Sequence, residues 1–165
     1  MDTNLNKNTH VSSIRERLKK DGFIFEEEKF DHFDVIVASG QQFKMSWFKG
    51  TQVNIYAIMG VADKVTKEFV EAYSKVTLSY AMKNYKSFPV QMNSVTANIP
   101  LLISSVIEDD ARQWVRQRPK HQLGFLEMPI ILDSCDNTLL LCDKTYRSSG
   151  NYKFLDDLIQ KYFQL

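Results

Sequence analysis

Alternation of apolar and polar residues between Phe33 and Met59, broken at Gly40 and Gly50, constrains this chain more than any other feature. Phe33, Val35 and Val37, then Phe43, Met45 and Trp47, then Val53, Ile55, Ala57 and Met59 recur at every second position. A period of two lines such residues along one face of a sheet. Glycine supplies the left-handed backbone that tight hairpin loops require. The pattern predicts an antiparallel meander over about residues 23–60.

Turn length decides which side chains share a face. A two-residue turn at Ser39-Gly40 would set Val35 against Lys44 and bury charge on valine. A three-residue loop Ala38-Ser39-Gly40, with glycine at a G1 bulge, instead pairs Val37 with Gln41 and Val35 with Phe43. The loop Phe48-Lys49-Gly50 repeats this geometry, pairing Trp47 with Thr51, Met45 with Val53 and Phe43 with Ile55. The opposite face then carries the rows His32, Ser46, Gln52; Asp34, Lys44, Asn54; and Ile36, Gln42, Tyr56. One face of an antiparallel sheet is commonly wet, so this face is expected in solvent with an Asp34 to Lys44 ion pair.

Helical periods fill the remainder. Residues 1–10 are polar and read as a flexible tail, leaving 11–165 as a single α+β domain. Ser13 and Glu16 make a capping box for a short helix carrying Ile14 and Leu18, stopped at Asp21-Gly22. Asp63 caps a long helix over 63–86, whose Val65, Phe69, Ala72, Val76 and Tyr80 recur at helical spacing and face the meander. A strand from Val95 to Ile103 follows, with Pro100 placing it at an edge or a bulge; Pro129 carries the same restriction. Ser105 and Glu108 cap a short helix with Ile107, Ala111, Trp114 and Val115 inward. A β-hairpin turns around residues 133–137, and a C-terminal helix after Gly150 buries Leu155, Leu158, Ile159 and Tyr162.

Composition narrows the function classes. The chain has 165 residues and a formal net charge of +1, so no global field draws it to nucleic acid or an anionic membrane. No apolar run approaches the ~20 residues of a spanning helix. With two cysteines, Cys135 and Cys142, and a polar amino terminus, the expected location is cytoplasmic. His10, His32 and His121 lack metal-site spacing, so neither a metal nor another cofactor is expected.

Two groups of residues carry candidate chemistry. Arg112, Arg116, Arg118, Lys120 and His121 cluster at and beyond the end of the second capped helix, where they could grip phosphate or an acidic partner. Helix electrostatics accounts for them as well, through a Glu108 to Arg112 pair and basic residues at the carboxyl end. Tyr56 adds an aromatic on the polar sheet face. The second group is Asp34, Gln42 and Lys44, which the derived register brings onto one face. These three residues, with the leading order helix, meander, helix, resemble the Asp, Glu/Gln-x-Lys arrangement of the restriction-endonuclease-like nucleases. The resemblance implies a metal-dependent phosphodiesterase in which Asp34 and Gln42 hold a cation and Lys44 assists hydrolysis, although Gln42 replaces a charged ligand.

Sequences for phosphate loops, nucleophile elbows and zinc helices do not occur. The expected function is therefore a small binding or regulatory module without catalytic activity, contacting a protein partner or a second copy of itself. Its contact surface would be the polar sheet face or the Pro100 strand. The nuclease is the alternative.

Overall fold

The computed structural model describes residues 2–44, 50–84, 93–117, 119, 124–148 and 150–165, without the side chains of 2–6, 93 and 151. Among the described residues the chain runs α1 (Asp2–Lys20), β1 (Ile24–Phe30), β2 (Phe33–Lys44), β3 (Thr51–Val61), α2 (Lys67–Asn84) and β4 (Asn93–Ser104). It continues through α3 (Asp109–Arg116), β5 (Phe125–Glu127), β6 (Ile130–Asp133), β7 (Thr138–Leu140), α4 (Lys144–Arg147) and α5 (Gly150–Tyr162). The fold is α+β. Its mixed sheet has the order β1-β2-β3-β4-β6-β7, with β5 beside β4.

Both faces of the sheet are covered. α1 and α5 contribute Ile14, Leu18, Leu155, Leu158 and Ile159 to one core, which takes Val53, Ile55, Ala57 and Met59 from β3. α2 and α3 contribute Val70, Tyr73, Ala81, Ala111 and Val115 to the other, which takes Phe33, Val35 and Val37 from β2 and Ile58 from β3. The face expected to be wet is divided: Gln52, Asn54 and Tyr56 of β3 are buried, because the chain continues into parallel strands whose crossover helices lie on the sheet, while Asp34 of β2 stays exposed.

The meander is formed by β1, β2 and β3, in a different register from the one derived above. Ala38-Ser39-Gly40 is not a loop. It lies inside β2, with Ala38 opposite Ala57, Ser39 opposite Tyr56 and Gly40 opposite Ile55. The turn stands instead at Asp31-His32, where Asp31 has φ 59° and Phe30 pairs with Phe33. Gly40 is required for a different reason: a Cβ on it would lie 2.8 Å from the ring of Phe23. Lys44 faces Thr51, Phe43 faces Gln52 and Gln42 faces Val53, so Val35 and Phe43 are not paired. Gly50 keeps a left-handed backbone, with φ 72°. Residues 45–49, which hold the expected pairs of Met45 and Trp47, lie outside the described residues.

Pro100 lies in the middle of the sheet rather than at an edge. β3 flanks β4 on one side and β5 and β6 on the other, all parallel. Thr96 donates to the Gly124 carbonyl and Asn98 accepts from Met128, so the even-numbered backbone groups of β4 point toward β5 and β6. Pro100 shares that parity. Its missing donor faces the interruption at Met128-Pro129, where β5 has ended and β6 has not begun. A proline in a central strand is thus matched by a break opposite it.

The helix ends also differ from expectation. α1 begins at Asp2, so Ser13 lies within it, and residues 2–10, read as a tail, form its first half. Lys7, buried in this half, donates from Nζ to the Ala62 carbonyl at 3.1 Å. Its end is as expected: Gly22 has φ 82° and Phe23 N–H reaches the Leu18 carbonyl, a Schellman closure. α2 is capped by Thr66, whose Oγ1 accepts the Phe69 N–H, rather than by Asp63. α3 is preceded by Glu108 without a side-chain cap, and Glu108 pairs with Lys64 instead. The hairpin of β6 and β7 turns over residues 134–137, with Asn137 at φ 60°.

Candidate functional site

α2 and α3 are tied together where they begin. Val65 donates to the Val106 carbonyl and accepts from Glu108 N–H, a short parallel bridge ahead of both helices. Further along, the helices line a cavity of about 250 Å³ over β5 and the Met128-Pro129 break. Glu71, Ser74, Lys75 and Leu78 of α2 form one wall, and Trp114 and Val115 of α3 with Gln117 just beyond its end form the other. Pro119, Glu127 and Pro129 complete it.

The inner stripe of α2 explains why this cavity is polar at depth. Val70, Tyr73 and Ala81 face the sheet, as helical spacing demands, but Ser74 and Thr77 occupy the same face between them. They stand over a cross-strand row formed by Tyr56, Asn98 and Glu127, all buried. Asn98 Nδ2 donates to Thr77 Oγ1 at 3.3 Å, and Thr77 donates to the Ser74 carbonyl. The buried hydroxyl of Ser74, a residue 5% exposed, and Oδ1 of Asn98 have no hydrogen-bond partner among the described residues. Each such group costs about 1–3 kcal/mol when left unsatisfied. Glu127 is 8% exposed on the cavity wall.

Sequence candidates fall at separate places. Asp34 and Lys44 lie ten positions apart on one strand, about 33 Å at ~3.3 Å per residue, so they do not meet. Asp34 pairs with Lys29 at 3.8 Å in solvent, and the Lys44 ammonium lies 4.7 Å from the Phe154 ring centre. Gln42, opposite Val53, is two residues from Lys44 and far from Asp34. The adjoining strand β3 contains no acid. The expected cation site is thus not assembled, because it depended on a turn that the structure replaces with continuous strand.

Among the basic residues, Arg112 donates to Asp133 Oδ2 at 2.6 Å rather than pairing with Glu108. Arg116 is exposed at the end of α3, one residue before the cavity-lining Gln117. Arg118, Lys120 and His121 lie outside the described residues. Tyr56 is buried, not on a wet face. Its hydroxyl donates to the Asn84 carbonyl at 2.7 Å, and burial, with the nearby charge of Glu26, raises the phenol above its ordinary range.

No group of three His, Cys, Asp or Glu side chains suited to a metal occurs among the described residues. None of the described helices is long and apolar enough to cross a membrane. The chain matches no family model, no curated protein and no solved structure. Ser74, Lys75, Glu71 and Glu127 were not singled out by the sequence. A signal existed in Ser74 and Thr77, two hydroxyls three apart within an apolar helical stripe, where an inward-facing polar site would lie.

Proposed function

We propose that this chain is a small cytoplasmic binding module without catalytic activity, which docks a protein partner through the cavity between α2 and α3. One observation carries the reading: Ser74 is among the residues lining that cavity, and its buried hydroxyl has no hydrogen-bond partner among the described residues. A ligand group that reached it would recover the cost of its burial. Leu78, Val115 and Trp114 supply apolar wall, and a concave site with few convergent polar groups is the usual form of a recognition pocket. Two unpaired cysteines suit a reducing compartment.

The test blocks the mouth without touching the core. Gln117 is exposed at the rim, so Gln117→Trp fills the entrance while leaving the packing intact. Crosslinking in the native host should recover a partner with the natural chain and with the remote control Lys19→Ala, and lose it with Gln117→Trp. Equal recovery by all three would reject the cavity as the docking element. Light scattering over a concentration series shows whether the partner is a second copy.

A further inference from the structure

We infer that the cavity receives a tyrosine side chain presented by the partner. This rests on the docking reading above and names the group recognised.

The lining sets two conditions. Its charges are served without a ligand: Glu127 already has a partner within the protein, while Glu71, partly exposed, and Lys75, exposed, reach water. Among the described residues of the lining, Ser74 alone has a buried polar side-chain atom without a partner, so the group to be met is one neutral hydroxyl. That hydroxyl turns about a single torsion, which brings a group seated against Ser74 within its reach. The apolar lining is Val115 and Pro119, both buried, with Leu78, Trp114 and Pro129 partly buried. The ligand that suits these walls is an apolar body with one uncharged polar tip.

Tyrosine is the side chain of that form. It buries about 150–250 Å² of mostly apolar surface and carries at its far end a hydroxyl that finds a hydrogen-bond partner when buried. Donor and acceptor at once, the phenol meets the Ser74 hydroxyl in either direction. Phenylalanine would leave Ser74 unpaired, and the amides of asparagine and glutamine bring two donors and two lone pairs to a wall with one unused group. The indole of tryptophan is larger and only donates. At about 250 Å³ the cavity falls below the ~300 Å³ at which sites for drug-sized ligands begin, so it takes one side chain. Trp114 in the wall offers the edge or offset contact that aromatic pairs favour.

The chain has two tryptophans, so Trp47→Phe leaves Trp114 as the reporter. In that background the probes are N-acetyl-tyrosine amide and N-acetyl-phenylalanine amide, which differ by the hydroxyl alone, titrated against the Trp114 indole N–H resonance. Saturable binding of the tyrosine probe, about 5-fold tighter than phenylalanine, is expected, the ratio that one neutral hydrogen bond supplies. Ser74→Ala should abolish that ratio while leaving the phenylalanine probe unchanged. It should also raise the Tm of the free protein, because it removes an unpaired buried hydroxyl. Equal binding of the two probes, no response at about 20 mM, an unchanged ratio in Ser74→Ala, or a lower Tm for that variant would each overturn the inference. Tighter binding of free p-cresol than of the capped tyrosine would overturn its assignment to a peptide-borne side chain. If these fail while Gln117→Trp still loses the partner, the docking reading stands and only the tyrosine is wrong.

Discussion

The ring of Phe23 lies against the backbone of Gly40, its nearest carbon 2.8 Å from where a Cβ would stand. Phe23 makes the Schellman closure of α1 with its own N–H, and Gly40 lies in the middle of β2. The end of the first helix is thereby seated on the sheet at a point where no side chain fits.

Gly40→Val should therefore destabilise the protein by about 1–3 kcal/mol, the usual cost of overpacking, despite the better strand propensity of valine. Urea denaturation measures this. Combining it with Phe23→Ala should recover part of the loss, since the two changes share one contact. Simple additivity of the two would mean that the ring does not constrain this position.

Arg112 and Asp133 form the second testable tie. The Asp133 side chain is 6% exposed and also accepts the Cys135 N–H at 3.0 Å. Arg112→Ala leaves that carboxylate short of a charged donor and should cost about 2–3 kcal/mol. Glu108→Ala, which removes only a solvent-facing pair with Lys64, should change stability by less than about 1 kcal/mol. Equal effects in thermal or chemical unfolding would refute this ranking.

The two thiols should react differently. Cys135 is exposed, whereas burial pushes the Cys142 thiol up from 9.0 to about 11, with Arg147 opposing the shift. At pH 8 a thiol reagent should modify one cysteine in the folded protein and both in urea. A folded value above the unfolded one means that the folded state holds the proton more tightly. Stability from Cys142 is thus complete below about pH 9 and is lost as pH rises through about 11. Cys142→Ala should flatten that alkaline decline.

His10 governs the acid side. Burial lowers its affinity for a proton below the ordinary 6.5, and a hydrogen bond with Asn137 only partly offsets this. The folded state favours neutral imidazole, so the contribution is present above pH 6.5 and falls as the pH drops through the folded value. Thermal unfolding between pH 7.5 and pH 5 should show a steeper decline for the natural chain than for His10→Gln. Parallel curves would remove His10 from the account.

Local signals carried much of this architecture. Ile14 with Leu18, and Leu155 with Leu158, Ile159 and Tyr162, recur at helical spacing and are all buried. The Asp21-Gly22 stop, the hairpin turn over 134–137 and the α+β class were legible for the same reason. Period, turn residues and helix stops act over a few positions, and a few positions of sequence contain them.

Partnering across the sheet was not legible. Gly40 satisfies both a tight turn and a close ring contact, and nothing near it in the sequence says which. Period two establishes that Asp34, Gln42 and Lys44 share a face, yet not whether one strand or two carries them; continuous pairing of β2 with β3 placed them along one strand. Pro100 has the same character, because a missing donor excludes a strand interior only where a neighbour would have used it, and here the neighbour is interrupted at Pro129. The sequence by itself determined the α+β class, the helix stop at Asp21-Gly22 and the apolar stripe of α5, but not that residues 2–10 are helix or that Ala38-Ser39-Gly40 is strand. Only the tertiary structure decided which faces meet, because pairing and burial depend on groups distant in the chain, and that choice dispersed one candidate site and assembled another around Ser74, Trp114 and Glu127.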